Sequence, residues 1–307
     1  MKLIFGANGQ IGKSLVKELI KDSFLYLVTS SRSNLEAFLG SHKIEKNFEV
    51  IDYDYKSNFS FPSKIKTIIN CSGKGDPNDH NSNLFLLNDL TSNIDRQILE
   101  FLERKKDVCY FFLSTGGLYN SEKNYSHARQ KRTMNVNLDN LSEYKFYLFK
   151  KLSTERLHES FKHLNIINIR IFGFISEFIS LSSSFFIAQV LDSFHKKKTF
   201  FTGKKNFIRD YITASDLAYL INLLEIKKTN VTLDIFSNGP VTKKEILDFF
   251  IKKGLNLSIK TDEINDLSKP KYISNCSKGF SIGFKSKYNS IKNIENLMKN
   301  LKLYTNK

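Results

Sequence analysis

Cysteine is scarce in this 307-residue chain: Cys71, Cys109 and Cys276 are an odd number, widely spaced. That excludes a disulfide framework and any CxxC zinc site, and it suits a reducing compartment. The six histidines show no metal-ligand spacing, so no metal is expected. No apolar run reaches the ~18 residues of a membrane-crossing helix. The stretch from Ile167 to Val190 comes nearest, but Asn168, Arg170, Glu177 and several serines interrupt it. The opening Met1-Lys2-Leu3-Ile4-Phe5-Gly6 is too short for the hydrophobic region of a secretion signal. These absences predict a soluble, cytoplasmic protein with no membrane insertion. There are only four prolines, and Asn, Ile, Lys and Phe are abundant.

Apolar residues make up 41% and charged residues 25%, the balance of a globular chain. The length fits one large domain or two closely joined ones. Lys plus Arg exceed Asp plus Glu, 47 against 31, for a net charge of +16. The lysines are scattered, and the densest runs, Lys196-Lys197-Lys198 and Lys204-Lys205, are short. A nucleic-acid partner is therefore not expected. A basic cleft for a phosphorylated small substrate uses the same charge better.

Strand-like and helix-like segments alternate in the first half. Strands are expected over 2–5, 24–29, 48–52, 66–71, 108–114 and 166–172. Helices are expected over 10–21, 90–104 and 142–164. Such alternation means a parallel sheet covered on both faces, a doubly wound α/β fold of Rossmann type. The second half is less regular. It offers helices at 182–194, 214–224, 243–253 and 291–301 and a strand at 232–236. Residues 1–170, with a return near 206–236, are expected to form the dinucleotide-binding unit. Residues 171–307 are expected to form mainly a smaller α/β substrate lobe.

Gly6-Ala7-Asn8-Gly9-Gln10-Ile11-Gly12 follows the first strand and opens the first helix. Glycines there permit a tight turn, approach of the backbone to a pyrophosphate and close helix–strand packing. The phosphates then meet free N–H groups at the helix N-terminus. At the end of the second strand an NAD site usually carries Asp or Glu. Here stand Ser31 and Arg32, donors and a cation that fit a 2′-phosphate. NADP(H) is the expected cofactor, with NAD(H) as the alternative. Tyr147 and Lys151 are four apart on a helix and share a face. An ammonium beside a phenol, together with the positive nicotinamide, is expected to lower its pKa and make Tyr147 a proton shuttle. Thr115 ends a strand at the carboxyl edge of the sheet, where it can hold a substrate oxygen.

Gly6/Gly9/Gly12, Thr115 four before Tyr119, and Tyr147/Lys151 followed by Leu152-Ser153-Thr154-Glu155 resemble the extended short-chain dehydrogenases/reductases. More narrowly they resemble the NAD-dependent epimerase/dehydratase family, which modifies nucleotide sugars. Ile208-Arg209-Asp210-Tyr211-Ile212, Ser215-Asp216-Leu217-Ala218, Phe236-Ser237-Asn238-Gly239 and, weakly, Ser281-Ile282-Gly283-Phe284 continue the likeness in order. The resemblance implies that Thr115, Tyr147 and Lys151 are catalytic. Arg209 would bind the substrate's pyrophosphate, with Arg170 and Asn93 (or Asn88) also on the substrate. Asp52 or Asp54 would approach the adenine, and Ser72 and Gly73 the nicotinamide ribose. It also implies a homodimer through the helices near Leu90 and Ser142.

Departures narrow the chemistry. Sugar 4,6-dehydratases of the family carry Asp-Glu directly after the threonine, and epimerase–reductases that make GDP-fucose carry a cysteine two residues after it. Here Gly116 and Gly117 occupy those positions. Phe174-Ile175-Ser176-Glu177 stands where the family has Gly-Pro. The leading expectation is a 4-ketosugar reductase. The alternatives are a 4-epimerase with tightly held NAD, a dehydrogenase of another small carbonyl, and a non-catalytic NADP sensor.

Overall fold

The computed structural model describes residues 1–73, 84–119, 143–260, 270–274 and 282–301. Short apolar runs, too brief for helices and rich in β-branched and aromatic residues, form its parallel strands. These are β1 (Lys2–Phe5), β2 (Leu25–Thr29), β3 (Phe48–Asp52), β4 (Thr67–Asn70), β5 (Cys109–Thr115) and β6 (Asn165–Ile171). Helices α1 (Gln10–Leu19), α2 (Arg32–Ser41), α3 (Leu84–Arg104) and α4 (Glu143–Ser160) alternate with them. The later chain adds α5 (Phe186–His195), β7 (Phe200–Gly203), β8 (Ile208–Arg209), α6 (Ala214–Leu224) and β9 (Val231–Ile235). It ends with β10 (Val241–Thr242), α7 (Lys243–Ile251), β11 (Leu257–Lys260), β12 (Lys271–Tyr272) and α8 (Ser290–Asn300).

The central sheet has seven parallel strands in the order β3-β2-β1-β4-β5-β6-β9. The order reverses between β1 and β4. At such a switch point the loops after two neighbouring strands diverge and leave a crevice. Here those loops begin at Gly6 and Cys71, whose strands are in register from Lys2 with Thr67 to Phe5 with Asn70. The sheet buries one apolar layer on each face. Ile4, Leu27, Phe111, Ile169 and Leu233 pack under α1, α2 and α6. Leu3, Phe5, Ile68, Tyr110 and Phe112 pack under α3, and Tyr110 and Phe112 also meet α4 at the His158 ring. A third core, with Ile175, Leu191, Phe200, Ile246, Phe250 and Met298, lies in the later chain. Two small sheets, β10-β8-β12 and β11-β7, belong to that later part.

Helix α4 stops at Ser160 rather than running to 164, because Phe161 and Leu164 turn back onto His158 and Phe161 carbonyls. Helix α3 starts six residues before the expected 90, at Leu84. Helix α6 is capped by Thr213, which with Asp216 forms a reciprocal capping box. Ser142, Cys276 and Ser281 lie outside the described residues.

Candidate active site

The three glycines after β1 do different things. Gly6 has φ +71, and a Cβ there would stand 3.0 Å from the Cys71 carbonyl and the Ser72 nitrogen. A Cβ on Gly12 would lie 2.2 Å from the Gly6 oxygen, so α1 reaches the turn only with glycine there. Gly9 has an ordinary φ of −73 and is exposed. A Cβ there would meet only the Gly6 oxygen, at 3.4 Å. The fold does not demand glycine at that position. The open face left by Gly9, at the head of α1, fits a pyrophosphate. Buried Asn8 Oδ1, without a hydrogen-bond partner among the described residues, adds an unfilled acceptor to the same turn. Gly9→Val is expected to keep the melting temperature while weakening nicotinamide dinucleotide binding at least tenfold, ~1.4 kcal/mol. Cofactor fluorescence and circular dichroism read the two quantities; equal affinity for wild type and variant would remove the ligand from this turn.

Gln10 and Ile11 follow Gly9; Gln10 Nε2 reaches Ser176 Oγ at 3.4 Å, and Ile11 packs on the core. Across the crevice the Gly6 N–H donates to Tyr55 Oη (2.9 Å), and Ser72 Oγ donates to the same oxygen at 3.4 Å. The Ser72 N–H is held by Asn70 Oδ1 at 3.0 Å. Gly73 has φ +124, and a Cβ there would stand 3.9 Å from Lys151 Nζ. The loop after β4 and helix α4 therefore meet where a nicotinamide ribose is expected.

Thr115 ends β5, and its Oγ1 accepts from the Gly117 N–H at 3.1 Å. The same hydroxyl is hydrogen-bonded to Tyr147 and lies 3.3 Å from Tyr272 Oη. Lys151, one turn after Tyr147, is buried, donates to the Leu113 carbonyl at 2.7 Å and sits 4.3 Å over the Phe112 ring. Thr115, Tyr147 and Lys151 are thus assembled at one point, as expected. Burial, with the Tyr144 phenol beside it, raises the Tyr147 pKa; the Thr115 hydrogen bond only partly offsets this. The Lys151 ammonium lies 5.9 Å from the centre of the ring and is bonded to the Leu113 carbonyl. Burial pulls Lys151 itself down to about 8, opposed by Asp95 and Glu155.

Gly116 and Gly117 have no room for side chains. A Cβ on Gly116 would lie 2.5 Å from the Phe172 ring, and one on Gly117 2.7 Å from Leu148 and 2.9 Å from Tyr144 Oη.

Several expected ligands are committed elsewhere. Arg170 is 1% exposed, and its guanidinium grips both oxygens of Glu155 and donates to Tyr119 Oη (2.7 Å). It is interior architecture, not a substrate contact, because Glu155 and Tyr119 take its buried guanidinium. Asn93 is corrected likewise: its amide donates to the Tyr55 carbonyl at 3.1 Å and accepts from Arg96. It holds the Tyr55 turn, whose φ is +63. The Asn88 side chain lies outside the described residues. Asp52 pairs with Arg32 at 2.6 Å, and Arg32 also meets Glu36 and the Val50 carbonyl. Asp54 closes its own turn on Lys56 and Ser57, which lowers its pKa. Ser31 stands at the N-terminal boundary of α2 without a side-chain cap bond, its N–H on Thr29 Oγ1 at 3.1 Å. Arg209 stacks 4.1 Å over Phe207 and is in register with Tyr272 across β8 and β12. Tyr272 and Tyr55 were invisible to sequence reasoning; Tyr272 is 157 positions from the Thr115 it touches.

The family model for the NAD dependent epimerase/dehydratase family matches residues 2–232. No curated protein matches the sequence. Solved structures are similar in fold over nearly their full lengths. One is a dTDP-glucose 4,6-dehydratase from Bacillus anthracis in complex with NAD, with TM-score 0.75 and 14% identity, covering 97% of this chain and 95% of that one. Another is a UDP-N-acetylglucosamine 4-epimerase from Methanobrevibacter ruminantium, with TM-score 0.76 and 15% identity over 98% and 97%. A third is a UDP-glucuronic acid 4-epimerase from Bacillus cereus in complex with UDP-glucuronic acid and NAD, with TM-score 0.73 and 16% identity over 99% and 100%. A glycine turn at a sheet switch point, the joined Thr115 and Tyr147 hydroxyls over Lys151, and a family match spanning three quarters of the sequence lead to one conclusion: the chain belongs to the NAD dependent epimerase/dehydratase family.

Proposed function

We propose that the chain is an NAD(P)-dependent oxidoreductase of a nucleotide-activated sugar, reducing a 4-keto group with Tyr147 as proton donor. One observation carries this reading: the Tyr147 hydroxyl, kept protonated by burial, is hydrogen-bonded to Thr115 with Lys151 one turn below. A phenol that holds its proton at neutral pH suits donation to a carbonyl oxygen; abstraction from a hydroxyl asks for a lower pKa. The glycine turn, Ser72, Gly73 and Lys151 would hold the nicotinamide dinucleotide, which when bound would supply the hydride. Thr115 holds the substrate oxygen beside Tyr147. Arg209 presents its guanidinium to the nucleotide pyrophosphate, which its fork geometry suits. Gly116 and Gly117 leave no space for the acidic pair of a dehydratase. The expected assay result is loss of nicotinamide absorbance when NADPH and a nucleotide-4-ketosugar are mixed with the protein. No turnover on any such sugar, with cofactor bound, would overturn the reading.

The rate should also depend on pH. Lys151 has its pKa lowered by burial to about 8, so it is an ammonium below that value and neutral above it. Turnover should therefore be full below pH ~8 and fall as pH rises through it. A rate that stays level across that value would mean the Lys151 charge is not used.

NADP(H) is the proposed cofactor, because no acidic residue ends β2 and Arg32 stands there. Arg32→Ala is expected to weaken NADPH about tenfold, ~1.4 kcal/mol, and leave NADH unchanged. The second reading is 4-epimerisation with retained NAD. It is favoured by the Asp52 and Glu36 carboxylates on Arg32, which offset the charge a 2′-phosphate needs. An NADPH affinity unaffected by Arg32→Ala would favour it. Pairing of α3 and α4 with those of a second copy belongs to the same proposal; Phe149 and Leu157 are exposed on α4.

A further inference from the structure

The turn after β3 sends one side chain back into the crevice between the two loops of the switch point. Asp54 closes that turn by accepting from the Lys56 and Ser57 N–H groups at 2.9 and 3.0 Å. Tyr55 stands inside it with φ +63, a conformation that costs a bulky residue and persists only where its surroundings hold it. Asn93 on α3 supplies that hold by donating to the Tyr55 carbonyl at 3.1 Å, and Arg96 donates to Asn93 in turn, also at 3.1 Å. The Tyr55 ring lies against Tyr53, centres 4.9 Å apart, and edge-on to Phe5 at 6.4 Å.

The two loops leave the sheet with backbone bonds on either side. The Ala7 N–H gives to the Val28 carbonyl at 3.2 Å, and the Cys71 N–H to the Phe5 carbonyl at 3.0 Å. Between them the Gly6 N–H, which can only donate, gives to Tyr55 Oη at 2.9 Å. Ser72 Oγ donates to the same oxygen at 3.4 Å, longer than the ~2.5–3.0 Å of a full O–H···O bond. The phenol oxygen therefore accepts and keeps its own proton, and among the described residues none accepts that proton. Burial raises the Tyr55 pKa, so the proton stays in place at neutral pH. Gly6, Tyr55 and Ser72 are each only partly buried, so a ligand can reach the crevice. Asn8 Oδ1, in the same glycine turn, lacks a donor among the described residues. One unmatched donor and one unmatched acceptor fit a ligand that carries both, as phosphate-linked riboses do.

We propose that Tyr55 is a further cofactor-binding residue, donating its hydroxyl proton to a pyrophosphate oxygen of the nicotinamide dinucleotide. This donation rests on the reading of the glycine turn as a dinucleotide site. A phosphate oxygen is a charged acceptor, so the bond is of the strong, charge-assisted kind. Accepting from Gly6 polarises the phenol and makes it a better donor. The N-terminus of α1 offers its N–H groups from one side of the crevice, and Tyr55 offers its hydroxyl from the other. Both dinucleotides carry the same pyrophosphate. Tyr55 therefore serves NADPH and NADH equally, unlike Arg32, whose expected ligand is the 2′-phosphate alone.

The test is fluorescence titration of the full chain with NADPH and with NADH, the fold checked by melting. Tyr55→Phe keeps the ring contacts and is expected to weaken both about tenfold, leaving their ratio unchanged. In a Ser72→Ala background the same loss should persist; its disappearance there would give the proton to Ser72 and overturn the proposal. A role as acceptor for Gly6 alone is separated by placing 3,5-difluorotyrosine at position 55, its ionisation followed by absorbance. The phenolate still accepts from Gly6 and Ser72, but it has no proton to give and repels the pyrophosphate. Affinity should therefore fall as pH rises through that ionisation, while wild type stays level over the same range. Equal affinities for wild type and Tyr55→Phe, or a level affinity across the fluorophenol's ionisation, would overturn the proposal alone. A wild-type chain that binds neither dinucleotide would overturn the dinucleotide reading beneath it as well.

Discussion

Replacing Tyr147 by phenylalanine is expected to lower turnover by roughly 10²–10⁴-fold, the usual worth of a positioned proton donor. Dinucleotide affinity should stay within about twofold of wild type, because the ring remains over Lys151 and only the hydroxyl is lost. The Tyr147 hydroxyl shares Thr115 with Tyr272, whose oxygen lies 3.3 Å from Thr115 Oγ1. Tyr272→Phe is therefore the informative companion. Turnover that survives Tyr147→Phe but disappears in Tyr272→Phe would move proton donation from helix α4 to strand β12. Single-turnover rates with NADPH separate these outcomes from changes in binding.

The second large effect concerns stability. Glu155→Gln leaves the Arg170 guanidinium, 1% exposed, without its carboxylate. Breaking one partner of a buried pair costs about 3–5 kcal/mol, because the remaining charge is stranded in the interior. For a chain of this size that lowers the melting midpoint on the order of 10 °C. Glu155 also accepts from Ser114, and Arg170 bridges to Tyr119, which in turn donates to Asp234 at 2.9 Å. The loss should therefore spread over the ends of β5, β6 and β9. The double change Glu155→Leu with Arg170→Met should recover much of the stability, since an apolar pair strands no charge. An unchanged midpoint for Glu155→Gln would mean that water reaches Arg170.

The glycine turn, the alternating strands and the Tyr147–Lys151 pair were legible because each is a local constraint. Gly12 must be glycine for a reason that lies six residues away, at the Gly6 oxygen. Tyr147 and Lys151 share a helix face whatever packs on it. Helix α2 was missed: it is only weakly amphipathic, and among its first residues only Leu35 is buried. The later strands β8, β10 and β12 have two residues each, too few for any period to show. Arg170 and Asn93 could not be assigned from sequence, because an arginine or amide looks the same whether it meets substrate or an internal carboxylate. Their partners, Glu155 and the Tyr55 carbonyl, are fixed only by packing. The direction of the Lys151 ammonium was hidden for the same reason: spacing brings it near the Tyr147 ring, but the Leu113 carbonyl decides where it points.

Cofactor binding tests the account most directly. The chain has no tryptophan, so enhancement of the nicotinamide's own fluorescence reports binding without background from the protein. Whatever co-purifies is first released and identified by mass, and NADPH and NADH are then titrated against the folded protein. The account predicts a site free of retained cofactor that binds NADPH more tightly than NADH. Retained NAD that resists dialysis would transfer the assignment to the epimerase reading. Binding of neither nucleotide, at a folded state verified by melting, would contradict the central claim, because Gly9 and Lys151 would then serve no dinucleotide.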